Sequence, residues 1–219
     1  MAQIFPRWAN RVPRRLIILI IIGINIVVFG VWYFFSPEYT DVGYAPKQPI
    51  AFSHQIHAGQ LDLDCQYCHT NVDQSAHANI PAVETCMNCH SQIKEGSKYG
   101  TEEIAKVVES YEQDEPIEWI RVHNLPDYAA FNHSAHVNAG VGCESCHGRI
   151  DQMEVVAQKE PLSMSWCLDC HRQPEKFVRP EDEVTTMGFK PEENQLEMGR
   201  RLVAEQNIHP PTYCQGCHY

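Results

Sequence analysis

The chain has ten cysteines, and all ten fall in five copies of Cys-x-x-Cys-His. In chain order these are motif 1 (Cys65, Cys68, His69), motif 2 (Cys86, Cys89, His90), motif 3 (Cys143, Cys146, His147), motif 4 (Cys167, Cys170, His171) and motif 5 (Cys214, Cys217, His218). The pattern is that of c-type haem attachment. Each thiol adds to one porphyrin vinyl group, and the following histidine reaches back to the iron. A thioredoxin-like dithiol needs a single CxxC in a βαβ context. Zinc ribbons pair CxxC motifs without a histidine after each. Five complete motifs with no cysteine left over therefore predict five covalently bound haem c groups. They leave no thiols for disulfides, and they place this part of the chain outside the cytoplasm, where such haems are attached.

The second constraint is at the N-terminus. Residues 16–35 read LIILIIIGINIVVFGVWYFF, with Asn25 as the one polar side chain. Twenty residues at the helical rise span roughly 30 Å, the thickness of a bilayer's hydrocarbon core. Arg7, Arg11, Arg14 and Arg15 precede this run, while Glu38 and Asp41 come after it. The positive-inside rule then keeps residues 1–15 cytoplasmic and residues 36–219 periplasmic, anchored in a bacterial inner membrane. A cleaved signal peptide would have a shorter apolar run ending at small residues, which this one lacks. Asn25 is expected to bond either across a helix pair or within its own helix.

Charge divides at the same boundary. Residues 1–35 carry four arginines and no acid, and the chain totals −11, so residues 36–219 carry −15. A domain this acidic has no phosphate-binding patch, which excludes nucleic acid.

Within 36–219 the sequence repeats. Residues 51–69, AFSHQIHAGQLDLDCQYCH, parallel residues 130–147, AFNHSAHVNAGVGCESCH, and each leads into a second haem motif. Two units are thus expected, 51–90 and 130–171, with the fifth haem alone in 207–219. Strand patterns are poor. Helices are expected within TEEIAKVVESYEQDEP, capped by Thr101 and stopping before Pro116, and near residues 194–206. The fold class is mainly irregular and α: short helices and long loops around five haems, plus one transmembrane helix. With few residues per haem, the macrocycles supply much of the apolar core, so folding and haem binding are coupled.

Each iron also needs a ligand opposite its motif histidine. Two histidines give low-spin iron of low potential, and methionine opposite histidine raises it. Seven histidines lie outside the motifs. The duplicated HxxH pairs supply four: His54 for the haem at His69, His133 for that at His147, and His57 and His136 for neighbouring haems. His123 is the fifth choice, with His209 next. His77 sits in a turn that needs no ligand role. Met153 and Met164 lie near motif 4, where packing is the default role for methionine and one His/Met haem is the alternative, and Trp166 is expected to pack on porphyrin.

The paired HxxH and CxxCH units resemble the class III multihaem cytochromes c. The whole chain, with segments such as CQYCHTNV, CMNCH, FNHSAHV, CESCHG and PLSMSWCLDCHR, is similar to the membrane-anchored pentahaem subunit of alternative complex III, a quinol oxidoreductase. That resemblance implies an electron-transfer subunit with no bond-making catalytic site. Its electrons would come from a partner iron–sulfur subunit and leave to a monohaem cytochrome, another periplasmic carrier or a terminal oxidase. The alternative is a NapC/NirT-type membrane quinol dehydrogenase, whose first haem lies close to the membrane. Here Cys65 comes thirty residues after Phe35.

Overall fold

The structure, a computed structural model, describes residues 4–95 and 100–219. The first three residues of the basic N-terminal segment lie outside that range. The chain divides into two compact units, Met1–Val42 and Gly43–Tyr219.

In the first unit a 3₁₀ turn, Arg7–Arg11, runs into helix α1, Val12–Phe34. The helix begins before residue 16 because Pro13 sits in its first turn, where its missing N–H costs nothing. The continuous helical stretch Arg7–Phe34 has a mean hydropathy of 2.7, long and apolar enough to cross a membrane by length and composition. Asn25 donates its Nδ2 to Ile21 O at 2.8 Å. Of the two expected partners for this amide, the one found is the preceding turn of its own helix. A short helix α2, Pro37–Thr40, comes next, with Tyr33, Phe34 and Tyr39 clustered at 5.0–5.5 Å between ring centres.

The second unit contains no strand among the described residues, only an isolated bridge between Val141 and Val178. Its helices are short, and four of the seven carry a CxxCH motif. They are α3 (Cys65–Cys68), α4 (Val83–His90), α5 (Gly100–Gln113), α6 (His133–Val137), α7 (Glu144–His147), α8 (Met164–Arg172) and α9 (Gln195–Glu205). Thr101 lies inside α5 rather than capping it, one residue after the helix begins. Asn194 caps α9 by accepting from Leu196 N at 2.9 Å.

Side-chain burial is sparse. One apolar cluster joins Val178, Met198 and Leu202, with Phe189, Val203 and Ile208 against it; a second joins Val72, Val137 and Val184. Gly199 lets α9 lie directly on the Glu175 carbonyl, a position with no room for a Cβ. Two small clusters are little core for a unit of this size. Leu61, Tyr67, Ile80, Ile93, Phe131, Val155 and Met164 stay exposed around the haem motifs. That is the pattern expected where macrocycles, rather than side chains, complete the interior.

The two repeat units differ by one residue, and the backbone absorbs it locally. Seven residues separate His57 from Cys65, and six separate His136 from Cys143. The longer version forms a π-helix, Gln55–Gln60, where the shorter one forms α6. A π turn accommodates a single inserted residue and leaves the downstream haem motif in place.

Candidate haem centres

Four of the five motifs lie on an α-helical turn or directly before one, and motif 5 lies on the 3₁₀ turn Cys214–Gly216. Side chains three apart on such a turn share a face, so each cysteine pair faces one way and the next histidine comes directly after it. Caps fix the start of two of these turns. Asp64 accepts from Gln66 N at 2.7 Å, and Ser163 accepts from Trp166 N at 3.4 Å.

The HxxH segments are held by the opposite repeat. Gln55 N donates to Met153 O at 2.9 Å, in the loop after motif 3. Reciprocally, His133 N and Ser134 N donate to Ala76 O and Ser75 O, in the loop after motif 1. Asn138 Nδ2 adds a bond to Asp73 O at 3.1 Å. The duplicated units therefore clasp one another head to tail. Cys65 of motif 1 and Cys143 of motif 3 come together in the middle.

The histidine rings fall into pairs. His57 lies 6.2 Å from His90, His136 lies 6.1 Å from His171, and His133 lies 6.5 Å from His147 with the rings nearly parallel. Two imidazoles on opposite sides of one metal, each bonded at roughly 2 Å, have ring centres about 6.3 Å apart. These residues thus fit a group that takes an axial ligand on each face. His54 meets the Phe52 ring edge-on at 4.9 Å, and burial, then His69 and His57, depress its pKa to about 4. Burial likewise, with His123, His133, His69 and His54 around it, brings His147 down to about 3. Both rings are kept neutral, the form that offers a lone pair to iron.

Tautomer control points the same way. A ring nitrogen facing a carbonyl oxygen must carry the proton, which leaves the other nitrogen free to ligate. Nδ1 donates to Asn79 O from His69 (2.6 Å), to Ile93 O from His90 (2.9 Å), to Pro211 O from His171 (2.7 Å) and to Tyr128 O from His218 (2.8 Å). It donates in the same way from His57 to Ser53 O, from His133 to Ala76 O and from His136 to Asn132 O, at 2.7–2.9 Å. Seven rings thus present a bare Nε2. His209 does the reverse, with its Nε2 bonded to Asn207 Oδ1 at 3.1 Å. His77 is exposed. His123 stands edge-on to His147 at 4.4 Å with its Nε2 buried and unpartnered. The ring beside His218 is that of Tyr128, at 6.0 Å.

The thiols give the spatial order of the motifs. Besides burial, Cys68 is raised by Cys65 and Cys89, and Cys86 by Cys68, which sets motif 2 beside motif 1. Cys65 and Cys143 join motif 1 to motif 3. Burial, then Cys170 and Cys167, push Cys146 up to about 12, joining motif 3 to motif 4. Burial and then Cys217 raise Cys167, joining motif 4 to motif 5. Direct contacts follow the same path, with Asn88 Nδ2 of motif 2 donating to Tyr67 Oη within motif 1 at 3.1 Å and His171 Nδ1 of motif 4 donating to Pro211 O, just before motif 5, at 2.7 Å, so that neighbouring motifs run 2–1–3–4–5. Exposure agrees: Cys89 in motif 2 and Cys214 and His218 in motif 5 are the exposed motif residues.

Two sets of residues escaped the reading of the sequence. Phe52 stacks on His57 at 4.4 Å and meets His54 edge-on, and Phe131 treats His136 and His133 in the same way. The repeated A-F-x-H-x-x-H carried that signal. Arg179 had none. It is a buried guanidinium that pairs with Glu144 at 2.7 Å and donates to Thr186 O at 2.9 Å. Glu144 also accepts from Gly188 N at 2.6 Å, so the start of α7 and motif 3 is fixed by one buried network.

Short helices, loops and paired neutral histidines around five CxxCH motifs define a multihaem c-type cytochrome. The family comparisons agree: residues 36–124 match the class III cytochrome C family, and residues 129–219 match cytochrome c7 and related cytochrome c. Two consecutive segments of the chain thus each resemble a multihaem cytochrome c domain. The chain is similar to the menaquinone reductase multiheme cytochrome c subunit of Nitratidesulfovibrio vulgaris, with 32% identity over 121 residues. That match covers 55% of this chain and 53% of the relative, so the chain spans about half the length of the curated relative it matches.

Proposed function

We propose that this chain is the pentahaem electron-transfer subunit of a membrane quinol oxidoreductase resembling alternative complex III. The observation that carries the reading is the single-file order of the motifs, 2–1–3–4–5, with exposed members at both ends. When bound, each haem supplies a one-electron couple, so five in file conduct from one exposed end to the other. The chain's own residues do the rest. The ten cysteines fix the porphyrins, and His69, His90, His147, His171 and His218 ligate one face. His54, His133, His57 and His136 are assigned to the second face at motifs 1, 3, 2 and 4 respectively. The reciprocal clasp sets motifs 1 and 3 against each other at the centre.

The helix within Met1–Val42 is the anchor in this reading, with residues 1–15 cytoplasmic and 36–219 periplasmic. The partners are an iron–sulfur subunit of the same complex and a monohaem cytochrome, another periplasmic carrier or a terminal oxidase. The name of the Nitratidesulfovibrio relative, a menaquinone reductase subunit, favours a second version in which electrons run the other way, toward the quinone.

Intact mass tests the cofactor count: five haem equivalents above the polypeptide are expected, and fewer overturn the pentahaem reading. Membranes holding the assembled complex separate the directions. Reduction of this chain by added quinol supports quinol oxidation. Reduction only by a soluble cytochrome, with quinone then consumed, supports the reverse.

A further inference from the structure

The segment 178–189 runs between motifs 4 and 5 and belongs to neither repeat. It nevertheless reaches the start of both inner motifs. Val184 O accepts from Cys143 N at 3.0 Å, and the next residue, Thr185, donates its hydroxyl to Asp64 Oδ2 at 2.7 Å. Asp64 directly precedes Cys65, and its other oxygen caps α3 by accepting from Gln66 N. The Val184 side chain, 4% exposed, clusters with Val72 of the loop after motif 1 and Val137 of α6. Two consecutive residues thus hold motif 1 and motif 3 at once.

The segment is locked in that shape from within. The Arg179 guanidinium donates to Thr186 O at 2.9 Å and pairs with Glu144, which also accepts from Gly188 N. Arg179 N donates to Gly140 O at 2.8 Å, and its guanidinium occupies the space that a Cβ on Gly142 would need. Hydrogen-bonded buried networks of this kind rigidify the backbone they join. The two repeats differ at the very residues the segment touches. Aligned on their cysteines, Asp64 corresponds to Gly142 and Gln66 to Glu144. Unit 1 offers the acceptor for Thr185, whereas unit 2 offers the space and the counter-charge for Arg179.

We propose that segment 178–189 is a buckle across motifs 1 and 3, with Thr185 and Arg179 as the positioning residues that set the spacing of the two inner haems. This rests on the pentahaem reading and deepens it. In the order 2–1–3–4–5, the step from 1 to 3 is the one that passes between the duplicated units, and the buckle fixes that step.

The test uses the intact, haem-loaded chain and electron paramagnetic resonance of its oxidised form. A spin coupling lost both in C65A/C68A and in C143A/C146A belongs to the haems of motifs 1 and 3. T185V is nearly isosteric and removes the bond to Asp64. It should reduce that coupling while the signals from motifs 2, 4 and 5 stay as they are, and T185S should retain it. G142A, which displaces Arg179, should reduce it as well. Coupling of wild-type strength in either variant, with five haems bound, overturns the buckle, even where the denaturation midpoint falls. So does wild-type protein with five haems and no coupled pair. Intact mass separates the two readings, because fewer than five haems in wild-type protein sinks the pentahaem reading instead.

Discussion

Replacing His57 by alanine tests whether the second histidine of each HxxH crosses to the next motif. Its ring lies 6.2 Å from His90 of motif 2, the spacing of two imidazoles about one iron, although His57 is nearer in sequence to motif 1. The variant should lose one low-spin haem in five and gain one high-spin haem, read by electron paramagnetic resonance of oxidised protein. The assignment is then located by combination. In a C86A/C89A background, which carries no haem at motif 2, H57A should add no high-spin signal. In a C65A/C68A background it should convert one haem of the remaining four. This is double-mutant logic, in which two changes to one centre fail to add while changes to separate centres do. A new high-spin signal from H57A in the C86A/C89A protein would refute the cross-assignment. F52L is a useful companion. It removes the ring stacked on His57 at 4.4 Å but not the ligand, so it should shift g-values without changing spin state.

The same geometry sets other outcomes. R179M leaves Glu144 without its partner in a buried network, a class of change that costs about 3–5 kcal/mol. The denaturation midpoint in guanidinium chloride should fall accordingly and partly recover in R179M/E144Q; an unchanged midpoint would count against the network. Gly59 has the Asp151 carbonyl where a Cβ would stand. G59A should therefore cost about 1–3 kcal/mol as overpacking and broaden the low-spin signals of the clasped haems, whereas wild-type stability and spectra would argue that the contact is slack. Burial holds His54 and His147 neutral down to about 4 and about 3. Below pH 6.5 the unfolded chain takes up protons that the folded one refuses, so stability should decline from there toward pH 3. A flat denaturation midpoint between pH 6.5 and 4 would contradict this.

The legible and illegible parts of this protein separate on physical grounds. The proposed haem sites are local in sequence, so ten cysteines and five adjacent histidines stand out from spacing alone, and the long apolar helix from twenty uncharged residues. α9 was legible because Asn194 announces its start by capping chemistry. α5 was legible in content but not at its edge, where Gly100 at φ +73° is already the first helical residue and Thr101 lies inside. What was not legible is the clasp. Gln55 to Met153 and Ser134 to Ser75 are backbone bonds between distant loops, and backbone groups carry no residue-specific signal. Arg179 was silent for a related reason, since its partner Glu144 lies 35 residues away and both look like surface charges in a chain rich in them.

The clasp also explains why duplication gives a file rather than two separate pairs. Each HxxH places one imidazole toward the haem motif just downstream and the next toward the second motif of the same unit, as the His133/His147 and His136/His171 rings lie. That links motifs within a unit. Linking the units requires their inner motifs to touch, and docking each HxxH on the loop after the other unit's first motif brings Cys65 against Cys143. Motifs 1 and 3 become neighbours, and motifs 2 and 4 are driven outward. A fifth motif added after the second unit extends one end only, through Cys167 and Cys217. The resulting order, 2–1–3–4–5, is therefore a consequence of two similar units held reciprocally plus one appended site. It makes the two ends unequal: one belongs to the duplicated pattern with its HxxH histidines, and the other lies outside that pattern.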